Sequence, residues 1–356
     1  MSGSAAAERP VRIGVIGAGV MGRKHAEVIA RNPNARLAAV ADPGSRALAA
    51  EHAVPYFSGH AALLAAGEVD AVIIASPNAF HVDTALACLD RGIPSLLEKP
   101  MATSYAEAAR LVQVAKASAT PVLVGHHRRH HPAVKAAGDL IAAGELGKLV
   151  AVNGTWLTKK ADSYFREPWR KRQGAGVMLI NLVHDLDLFR HLCGNIVAVQ
   201  AKVSNRTRGF EVEDTAAVIV EFENGALGSF IISDTVVAPW GWDQATEDDP
   251  TFPFNPTISC YQIAGTRGSL AFPQLARYHH EALSDWTQPL SMAFVEKATG
   301  DSYSNQLSHF IDVVRGVVEP YVTVADAAQS VAVIEAAKLA AATGGSVEVS
   351  TITNLS

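Results

Sequence analysis

The sequence has 356 residues, of which 49% are hydrophobic and 18% charged, a composition that excludes an intrinsically disordered or collagen-like chain. Thirty Lys and Arg against 35 Asp and Glu give a formal net charge of -5 without a long block of one sign, which argues against a nucleic-acid partner. Apolar stretches fall short of the roughly 18 residues of a membrane span, and three widely spaced cysteines suit a reducing compartment. We therefore expect a cytoplasmic protein without a membrane contact.

The chain length predicts two domains, at about 150 residues per domain. The first ten residues lack the basic start and apolar middle of a secretory signal, and we expect them to form a disordered lead-in.

The first predicted elements are a strand, a glycine-rich turn and a helix. An apolar run at residues 11–16 precedes Gly17-Ala18-Gly19-Val20-Met21-Gly22, after which residues 23–31 have a helical pattern. In a dinucleotide-binding turn the first glycine permits the tight bend, the second admits a pyrophosphate, and the third lets helix and strand pack closely. The sequence therefore predicts a cofactor whose phosphates lie at the helix N-terminus. The predicted contacts are Gly17, Gly19, Val20 and Met21.

The second predicted strand, residues 37–41, ends beside Asp42, which lies 20 positions after Gly22. An acidic side chain at this place accepts hydrogen bonds from both adenosine ribose hydroxyls and repels a 2′-phosphate. The spacing therefore predicts NAD as the cofactor, in preference to NADP.

Strands and helices continue to alternate up to residue 125. We predict three further strands and two helices, at residues 69–76, 79–91, 93–97, 104–119 and 121–125. This alternation is typical of a doubly wound parallel sheet, whose ligands bind beyond the carboxyl ends of the strands. The residues that we expect to line the cofactor crevice there are Ser76, Asn78, Glu98 and Lys99.

From residue 148 onward the predicted strands come closer together. Six strand-like runs lie at residues 149–157, 196–203, 215–222, 226–236, 258–265 and 269–272. The dipeptides Asn224-Gly225 and Arg267-Gly268 are typical of hairpin turns, so we predict a large, mostly antiparallel open sheet. Two late helices, residues 305–314 and 326–342, are expected to cover one face of it. The predicted fold class is α/β, with a Rossmann domain at residues 1–125 and a second α/β domain at residues 126–356.

Further motifs follow the glycine turn in a fixed order. They are Ser76-Pro77-Asn78 with His81, Glu98-Lys99-Pro100, Arg128-Arg129, Trp169-Arg170, and residues 176–187 (GVMLINLVHDLD). Together they make the sequence resemble the Gfo/Idh/MocA family, the glucose-fructose oxidoreductase and inositol dehydrogenase group, over residues 11–349. The resemblance implies an NAD(P)-dependent dehydrogenase that moves hydride between nicotinamide and a carbon bearing a hydroxyl, on a sugar, sugar acid or cyclic polyol.

The same resemblance assigns the chemistry to Lys99 and His184. Imidazole, with an ordinary pKa of about 6.5, suits exchange of the hydroxyl proton, and an ammonium can anchor the reacting oxygen and stabilise an alkoxide. We further expect Asn181 and Arg129 to position the substrate. The family motifs add His81 and Arg170 to the cofactor contacts.

One position departs from the family pattern. Members of the inositol dehydrogenase type carry Asp four residues before the catalytic histidine, and here Ile180 stands there. Asn181 shares a helix face with His184 if the segment is helical, but an amide cannot take a proton. The family's substrate orientation, and any mechanism that needs an Asp at this position, therefore do not carry over to this sequence.

Aromatic and basic residues after the first strand of the second domain are candidate walls of the substrate pocket. They are Trp156, Lys159 and Tyr164, although packing in the core or a dimer fits Trp156 equally well. The aromatic insert at residues 240–256 suits a lid, a subunit contact or a solvated loop.

The histidines at 126, 127, 130 and 131 invite a metal interpretation, which we reject because successive residues of an extended strand point to opposite faces. Asp185 and Asp187 are interpreted as structural, pairing residues. We expect no metal, a small polyol or sugar as substrate, and a homodimer or homotetramer formed through the sheet of the second domain.

Two alternative functions stay open. One is a dehydrogenase of a non-sugar alcohol such as an aromatic dihydrodiol. The other is a catalytically idle NAD-binding regulator, which the absent Asp favours and the intact Lys99 and His184 oppose.

Overall fold

The computed structural model describes residues 9–354, so most of the predicted N-terminal lead-in lies outside the described residues. The chain divides into two compact units. One comprises residues up to 126 together with 303–328, and the other comprises residues 127–302 together with those from 329 onward. The predicted boundary at residue 125 does not anticipate that residues 303–328 belong to the first unit.

The first unit contains a six-stranded parallel sheet. Its strands are β1 (Val11–Ile16), β2 (Ala35–Ala41), β3 (Tyr56–Phe57), β4 (Ala71–Ile74), β5 (Ser95–Glu98) and β6 (Val122–Gly125). Its intervening helices are α1 (Val20–Arg31), α2 (Ala47–Glu51), α3 (His60–Ala65), α4 (His81–Asp90) and α5 (Tyr105–Lys116). The strand order is β3-β2-β1-β4-β5-β6, the order of a doubly wound dinucleotide-binding sheet.

The predicted parallel sheet is confirmed, and its strands β4, β5 and β6 are buried along their whole length. All four residues of β4 are buried, for example, as expected where helices cover a parallel sheet on both sides. Helix α1 begins at Val20, three residues earlier than predicted. Val20 and Met21 therefore belong to its first turn, where N–H groups lack partners within the helix.

The second unit contains a nine-stranded sheet. Its helices are α6 (Pro132–Ala142), α7 (Val183–Cys193) and α8 (Trp242–Ala245). Its strands are β7 (Leu149–Leu157), β8 (Ile196–Ser204), β9 (Thr215–Phe222), β10 (Leu227–Ser233), β11 (Tyr261–Gly265), β12 (Gly268–Phe272), β13 (Ala276–His279), β14 (Ser291–Phe294) and β15 (Val347–Glu348). The order is β14-β13-β12-β11-β7-β10-β9-β8-β15, and every pair is antiparallel except β7 with β10. The predicted mostly antiparallel sheet is confirmed.

The late helices are α9 (Ser302–Val314), α10 (Val324–Thr343) and α11 (Val349–Thr353). The expectation that α9 covers the antiparallel sheet is wrong, because from Tyr303 onward this helix belongs to the first unit, where the Lys24 ammonium lies 5.1 Å from the Tyr303 ring. Helix α7 covers the sheet instead. Its Phe189 ring packs 5.2 Å from Phe230 of β10 and 5.1 Å from Tyr261 of β11.

The strands of this sheet alternate buried and exposed residues. Val218 and Val220 of β9 are buried, whereas Ile219 between them is 53% exposed. Leu227 and Ile231 of β10 are exposed as well. One face of the sheet is therefore covered and the other carries exposed apolar side chains. Within residues 9–354, no helix is long and apolar enough to cross a bilayer.

Candidate active site

The glycine turn of the first unit uses each glycine for a different reason. Gly17 has a φ of +100°, and a Cβ there would lie 2.5 Å from the Ala75 carbonyl oxygen. At Gly22 a Cβ would lie 1.8 Å from the Gly17 oxygen, so only glycine lets helix and turn approach this closely. A Cβ on Gly19 would meet nothing within 4 Å. Gly19 thus borders open space at the N-terminus of α1, where a pyrophosphate can bind to N–H groups.

Asp42 lies beside this turn and holds it in place. Its Oδ2 accepts a hydrogen bond from the Ala18 N–H at 2.8 Å, and its Oδ1 accepts from the N–H groups of Gly44 and Ser45 at 2.8 and 2.9 Å. Each carboxylate oxygen has two lone pairs, so Oδ2 keeps one for a ribose hydroxyl. The Arg46 guanidinium lies 4.8 Å from the Tyr56 ring.

The loop after β4 presents two buried polar atoms. Ser76 Oγ and Asn78 Nδ2 have no hydrogen-bond partner among the described residues. A buried polar atom without a partner is costly, and in native proteins such atoms are normally satisfied. Both residues were predicted to contact the cofactor, and a bound cofactor would supply these partners.

His81 holds this loop and was predicted to touch the cofactor. Its ring is buried, with Nδ1 at 2.8 Å from the Pro100 oxygen and Nε2 at 2.8 Å from the Ser76 oxygen. Burial lowers the pKa of His81, although both carbonyl contacts oppose this. Because both ring nitrogens face backbone carbonyls, His81 ties two loops together and is not placed to bind a ligand.

Glu98 ends β5 and is likewise turned inward. Its Oε1 lies 2.7 Å from Nε2 of the buried His25 on α1, and its Oε2 accepts the Lys99 N–H at 3.2 Å. Burial raises the pKa of Glu98, but the His25 hydrogen bond and nearby positive charge outweigh it, so the pKa is lowered. Glu98 therefore fixes the backbone at Lys99, whose half-buried side chain follows β5 at the carboxyl edge of the sheet.

In the second unit, His184 lies on a continuous helical segment. Residues Met178–Leu182 form a π-helix that passes directly into α7, and His184 is buried in the first turn of α7. π-helical turns are rare and are frequent at functional sites. Gly176 precedes the segment with a φ of +92°, and a Cβ there would lie 2.4 Å from the Glu213 carboxylate. Asn181 accepts a hydrogen bond from the Lys160 ammonium at 2.7 Å.

The structure gives Arg129 a role other than the predicted substrate contact. Its Nε and one terminal nitrogen donate to both oxygens of Asp187, at 2.8 and 2.6 Å, and both residues are buried. Arg128 donates a single hydrogen bond to Asp185, from a terminal nitrogen to Oδ1 at 2.9 Å. Burial raises the pKa of Asp185, although Arg128 and the Tyr261 hydroxyl oppose the rise. The two aspartates are the pairing residues that the sequence predicted, and the arginines anchor the helix that carries His184.

Lys160, and not the predicted Lys159, lies in the side-chain cluster of this unit. Lys159 is exposed, whereas the Lys160 ammonium lies 5.5 Å from the Trp156 ring and 4.7 Å from the Tyr164 ring. The alternation of strand β7, extended past its end, could have indicated Lys160. It lies an even number of residues after the buried Trp156 and would therefore point to the same face. Arg170, predicted to touch the cofactor, also lies here, with its guanidinium 4.0 Å from the Tyr164 ring.

The histidine cluster is not extended, so the alternation argument against a metal does not apply. Residues His127–His130 form a 3-10 turn, His131 caps α6, and the His127 ring packs 5.1 Å from the His184 ring. Within residues 9–354, no group of three His, Cys, Asp or Glu is placed to hold a metal ion.

The insert at residues 240–256 is anchored in the second unit. Trp242 is buried, with its indole nitrogen 3.3 Å from Asp248, and the Asp243 carboxylate accepts a hydrogen bond from Trp156 at 3.1 Å. Of the three alternatives left open for this insert, a solvated loop does not fit its first half.

The residues of the first unit fit a dinucleotide. The open space at Gly19, the remaining lone pair of Asp42 and the buried atoms of Ser76 and Asn78 offer a phosphate site, a ribose acceptor and two further polar contacts.

Comparison with known proteins identifies the family. Residues 11–126 match the oxidoreductase family with an NAD-binding Rossmann fold, GFO_IDH_MocA, and residues 134–271 match the GFO/IDH/MocA C-terminal domain. The chain is 34% identical to an inositol 2-dehydrogenase from Arthrobacter sp. (strain FB24), over 67% of this chain and 70% of the relative. It is 28% identical to the rhizopine catabolism protein MocA from Rhizobium meliloti, over 92% and 93%.

A solved structure shares the fold. The WlbA dehydrogenase from Bordetella pertussis, in complex with NADH and UDP-GlcNAcA, superposes with a TM-score of 0.77 at 22% identity, covering 96% of this chain and 99% of that one. The resemblance seen in the motifs is confirmed: the chain belongs to the Gfo/Idh/MocA family and is an oxidoreductase whose Rossmann domain binds NAD.

Proposed function

We propose that the protein oxidises, and in reverse forms, a secondary alcohol carbon of a sugar, sugar acid or cyclic polyol. The observation that carries the proposal is the first unit's dinucleotide-binding turn, with Asp42 beside it and Lys99 at the end of β5. The relatives named inositol 2-dehydrogenase support a polyol or sugar as substrate.

The chemistry divides between cofactor and protein. When bound, NAD+ would supply the hydride acceptor for the alcohol carbon, and the protein's part is to take the hydroxyl proton as that carbon becomes a carbonyl. We assign that proton to His184, because a neutral imidazole accepts a proton near neutral pH. Lys99 holds the reacting oxygen and stabilises negative charge developing on it.

Substrate positioning falls to the side chains around Lys160. Asn181 offers hydrogen bonds but no proton exchange, and it already orients the Lys160 ammonium. Tyr164 is a candidate wall of the substrate pocket, and the Lys160 ammonium and Arg170 guanidinium pack against its ring. Trp156 is buried, and its ring lies 5.5 Å from the Lys160 ammonium.

Lys99→Met tests the proposal. We expect turnover to fall about 100-fold or more, because a preorganised positive group at the reacting oxygen is lost. NAD binding should stay within about tenfold, since Gly19 and Asp42 are unchanged. NADH formation at 340 nm with inositols, hexoses, hexonates and an aromatic cis-dihydrodiol gives turnover, and calorimetry gives affinity.

The outcomes separate the alternatives. A variant that retains more than a tenth of wild-type turnover would remove Lys99 from the chemistry. Selective turnover of the dihydrodiol would favour a non-sugar alcohol, and tight NAD binding without turnover of any compound would favour a regulator.

We further propose a homodimer or homotetramer formed through the open face of the nine-stranded sheet. Ile219, Leu227 and Ile231 expose apolar side chains there, and such a patch is typical of a subunit interface. Ile219→Lys with Ile231→Lys should reduce the mass measured by light scattering. The buried free thiols of Cys88, Cys193 and Cys260 fit the expected cytoplasm.

A further inference from the structure

His184 has a second histidine beside it in the same unit. The His127 ring lies 5.1 Å from the His184 ring, with the two ring planes at 75° to each other. Both side chains are buried. When two imidazoles lie this close in a protein interior, protonation of one disfavours protonation of the other, so the two titrate as a pair. The histidine pair therefore takes up its first proton more readily than its second.

A buried ion pair holds the two histidines at this distance. Its members, Arg128 and Asp185, directly follow the two histidines in the chain, and Arg128 donates to Asp185 Oδ1 at 2.9 Å. The Tyr261 hydroxyl accepts from Arg128 at 3.0 Å and donates to the same Asp185 oxygen. Since the charges of Arg128 and Asp185 are opposite, they offset each other beside the histidine pair.

A second carboxylate lies within ion-pair distance of His127. Asp248 Oδ2 is 4.0 Å from His127 Nε2, and both side chains are buried. Asp248 accepts the N–H and the hydroxyl of Ser302 at 2.7 and 2.6 Å, and the Trp242 indole N–H at 3.3 Å. Three donors directed at one carboxyl group favour its ionised form. The donors are themselves neutral, so they orient the negative charge without cancelling it.

The other titratable groups around Asp248 leave its charge available to His127. Burial lowers the pKa of His131, an effect that Asp248 and Asp301 oppose and Lys297 reinforces. His131 is therefore uncharged at neutral pH, in agreement with its Nδ1, which accepts a backbone N–H at 3.1 Å. Lys297 and Asp301 carry opposite charges and offset each other.

The helical segment of His184 offers the imidazole no available carboxylate of its own. Ile180 stands four residues before His184, and Asn181 carries a neutral amide. Asp185, which follows His184, is engaged in the ion pair described above. The negative charge that can balance a proton on the histidine pair is therefore that of Asp248.

We propose that Asp248, acting through His127, stabilises the positive charge that the histidine pair carries once His184 has accepted the hydroxyl proton. This inference rests on the proposed function, which assigns that proton to His184. His127 and Asp248 are positioning residues, because they act through His184 and need no contact with the substrate.

The pH profile of oxidation tests the proposal, with the compound of highest turnover among inositols, hexoses and hexonates as substrate. In the wild type, kcat/KM should rise with pH as the histidine pair becomes fully neutral. Asp248→Asn should move this rise to lower pH by about half a pH unit or more, because no carboxylate then stabilises the protonated pair. His127→Gln should move it in the same direction, because His184 then holds the proton alone.

The double variant tests whether Asp248 acts through His127. With His127→Gln already present, Asp248→Asn should add less than about half of the shift that it causes in the wild type. A full further shift would overturn the role of His127. Should Asp248→Asn fail to fold, His127→Gln decides the sign by itself. A rise moved to higher pH in that variant would mean that His127 repels the proton on His184, and would overturn the proposal.

Two controls separate the charge of Asp248 from its structural contacts. Ser302→Ala removes a hydroxyl donor from Asp248 but keeps the carboxylate, and Glu247→Gln removes an exposed negative charge from the residue before Asp248. Both should leave the rise within about 0.2 pH units of the wild type, the first because the charge is retained and the second because an exposed charge is screened. Unfolding temperatures of all variants measure any loss of stability separately.

NMR signals of the histidine rings, followed during a pH titration of the protein without substrate, separate this inference from the proposed function. Spectra of His127→Gln and His184→Asn assign the two signals. A titration of the pair that moves to lower pH in Asp248→Asn, without turnover of any compound, would support the inference while contradicting the proposed reaction. Turnover with a pH profile that is unchanged, or moved to higher pH, in Asp248→Asn would overturn the inference and leave the reaction standing.

Discussion

Each of the two units contains its own cluster of candidate functional residues, and the two clusters are built in different ways. In the first unit the candidate residues act through the backbone. A Cβ on Gly17 or Gly22 would collide with backbone atoms, whereas a Cβ on Gly19 would point into open space. The second unit uses side chains from distant segments, such as Lys160 and Asn181, 21 positions apart. A backbone site depends on a few adjacent residues, whereas a side-chain site depends on how remote loops fold.

The most severe test of this contrast is His184→Asn, which removes one side chain of the second unit. We expect the oxidation rate of the wild type to rise with pH through one ionisation near neutrality, because only neutral imidazole accepts a proton. The variant should lose about 100-fold to 10,000-fold in rate and the neutral limb of the profile. Rates measured from pH 5 to pH 9 check this, and an unchanged profile would leave Lys99 or a water relay as the proton carrier.

The glycine turn offers a paired test within the first unit. Gly22→Ala puts a methyl group 1.8 Å from the Gly17 oxygen and should cost about 3 kcal/mol of stability. Gly19→Ala meets no protein atom within 4 Å, so it should keep its unfolding temperature while NAD affinity falls about tenfold to 100-fold. Calorimetric melting and NAD titration of both variants measure the contrast. Equal loss of stability in the two would show that Gly19 has a packing role.

The same contrast explains what the sequence could predict. The parallel sheet, the glycine turn and Asp42 follow from apolar runs and fixed spacings, and the structure has them where they are expected. Each depends on neighbours within one strand-turn-helix unit.

The errors lie where partners are remote in sequence. A motif places Arg129 near the site but does not reveal that Asp187, 58 positions later, binds its guanidinium. The sequence of helix α9 does not show which unit its apolar face packs in. The structure places it in the first unit, where Tyr303 contacts Lys24 of α1. Lys159 and Lys160 lie just beyond the end of β7 at Leu157, and only an extension of that strand's alternation past its end favours Lys160.

Glu98 is a side chain of the first unit that holds the backbone in place, because it accepts the Lys99 N–H and contacts His25. Glu98→Gln breaks a buried pair with His25 and should lower the free energy of unfolding by about 3 kcal/mol at pH 7. Glu51→Gln breaks the exposed pair with Arg23 and should cost under about 1 kcal/mol.

The pH dependence of the Glu98→Gln effect has a definite sign. Because the pKa of Glu98 is lowered in the folded protein, its stabilisation is present at neutral pH and is lost as pH falls below about 4. Denaturant unfolding from pH 7 to pH 3 should therefore show the gap between wild type and variant closing. A gap that stays constant over this range would contradict an ionised Glu98 in the folded state.

The smallest expected effect concerns the choice between NAD and NADP. We predict tighter binding of NAD, because a 2′-phosphate would lie against the Asp42 carboxylate, an unrelieved like-charge contact. Asp42→Ser should narrow the gap by about tenfold, the effect of removing one repulsive charge worth about 1.4 kcal/mol. Since Asp42 also accepts the Ala18 and Gly44 N–H groups, the serine variant should weaken NAD binding too. Asp42→Asn keeps an acceptor oxygen while removing the charge, so it separates the two effects: a gap that narrows equally in both variants identifies charge as the cause. Equal or tighter binding of NADP by the wild type would contradict the preference, and the hydrogen bonds that Asp42 makes to the turn would then be its whole role.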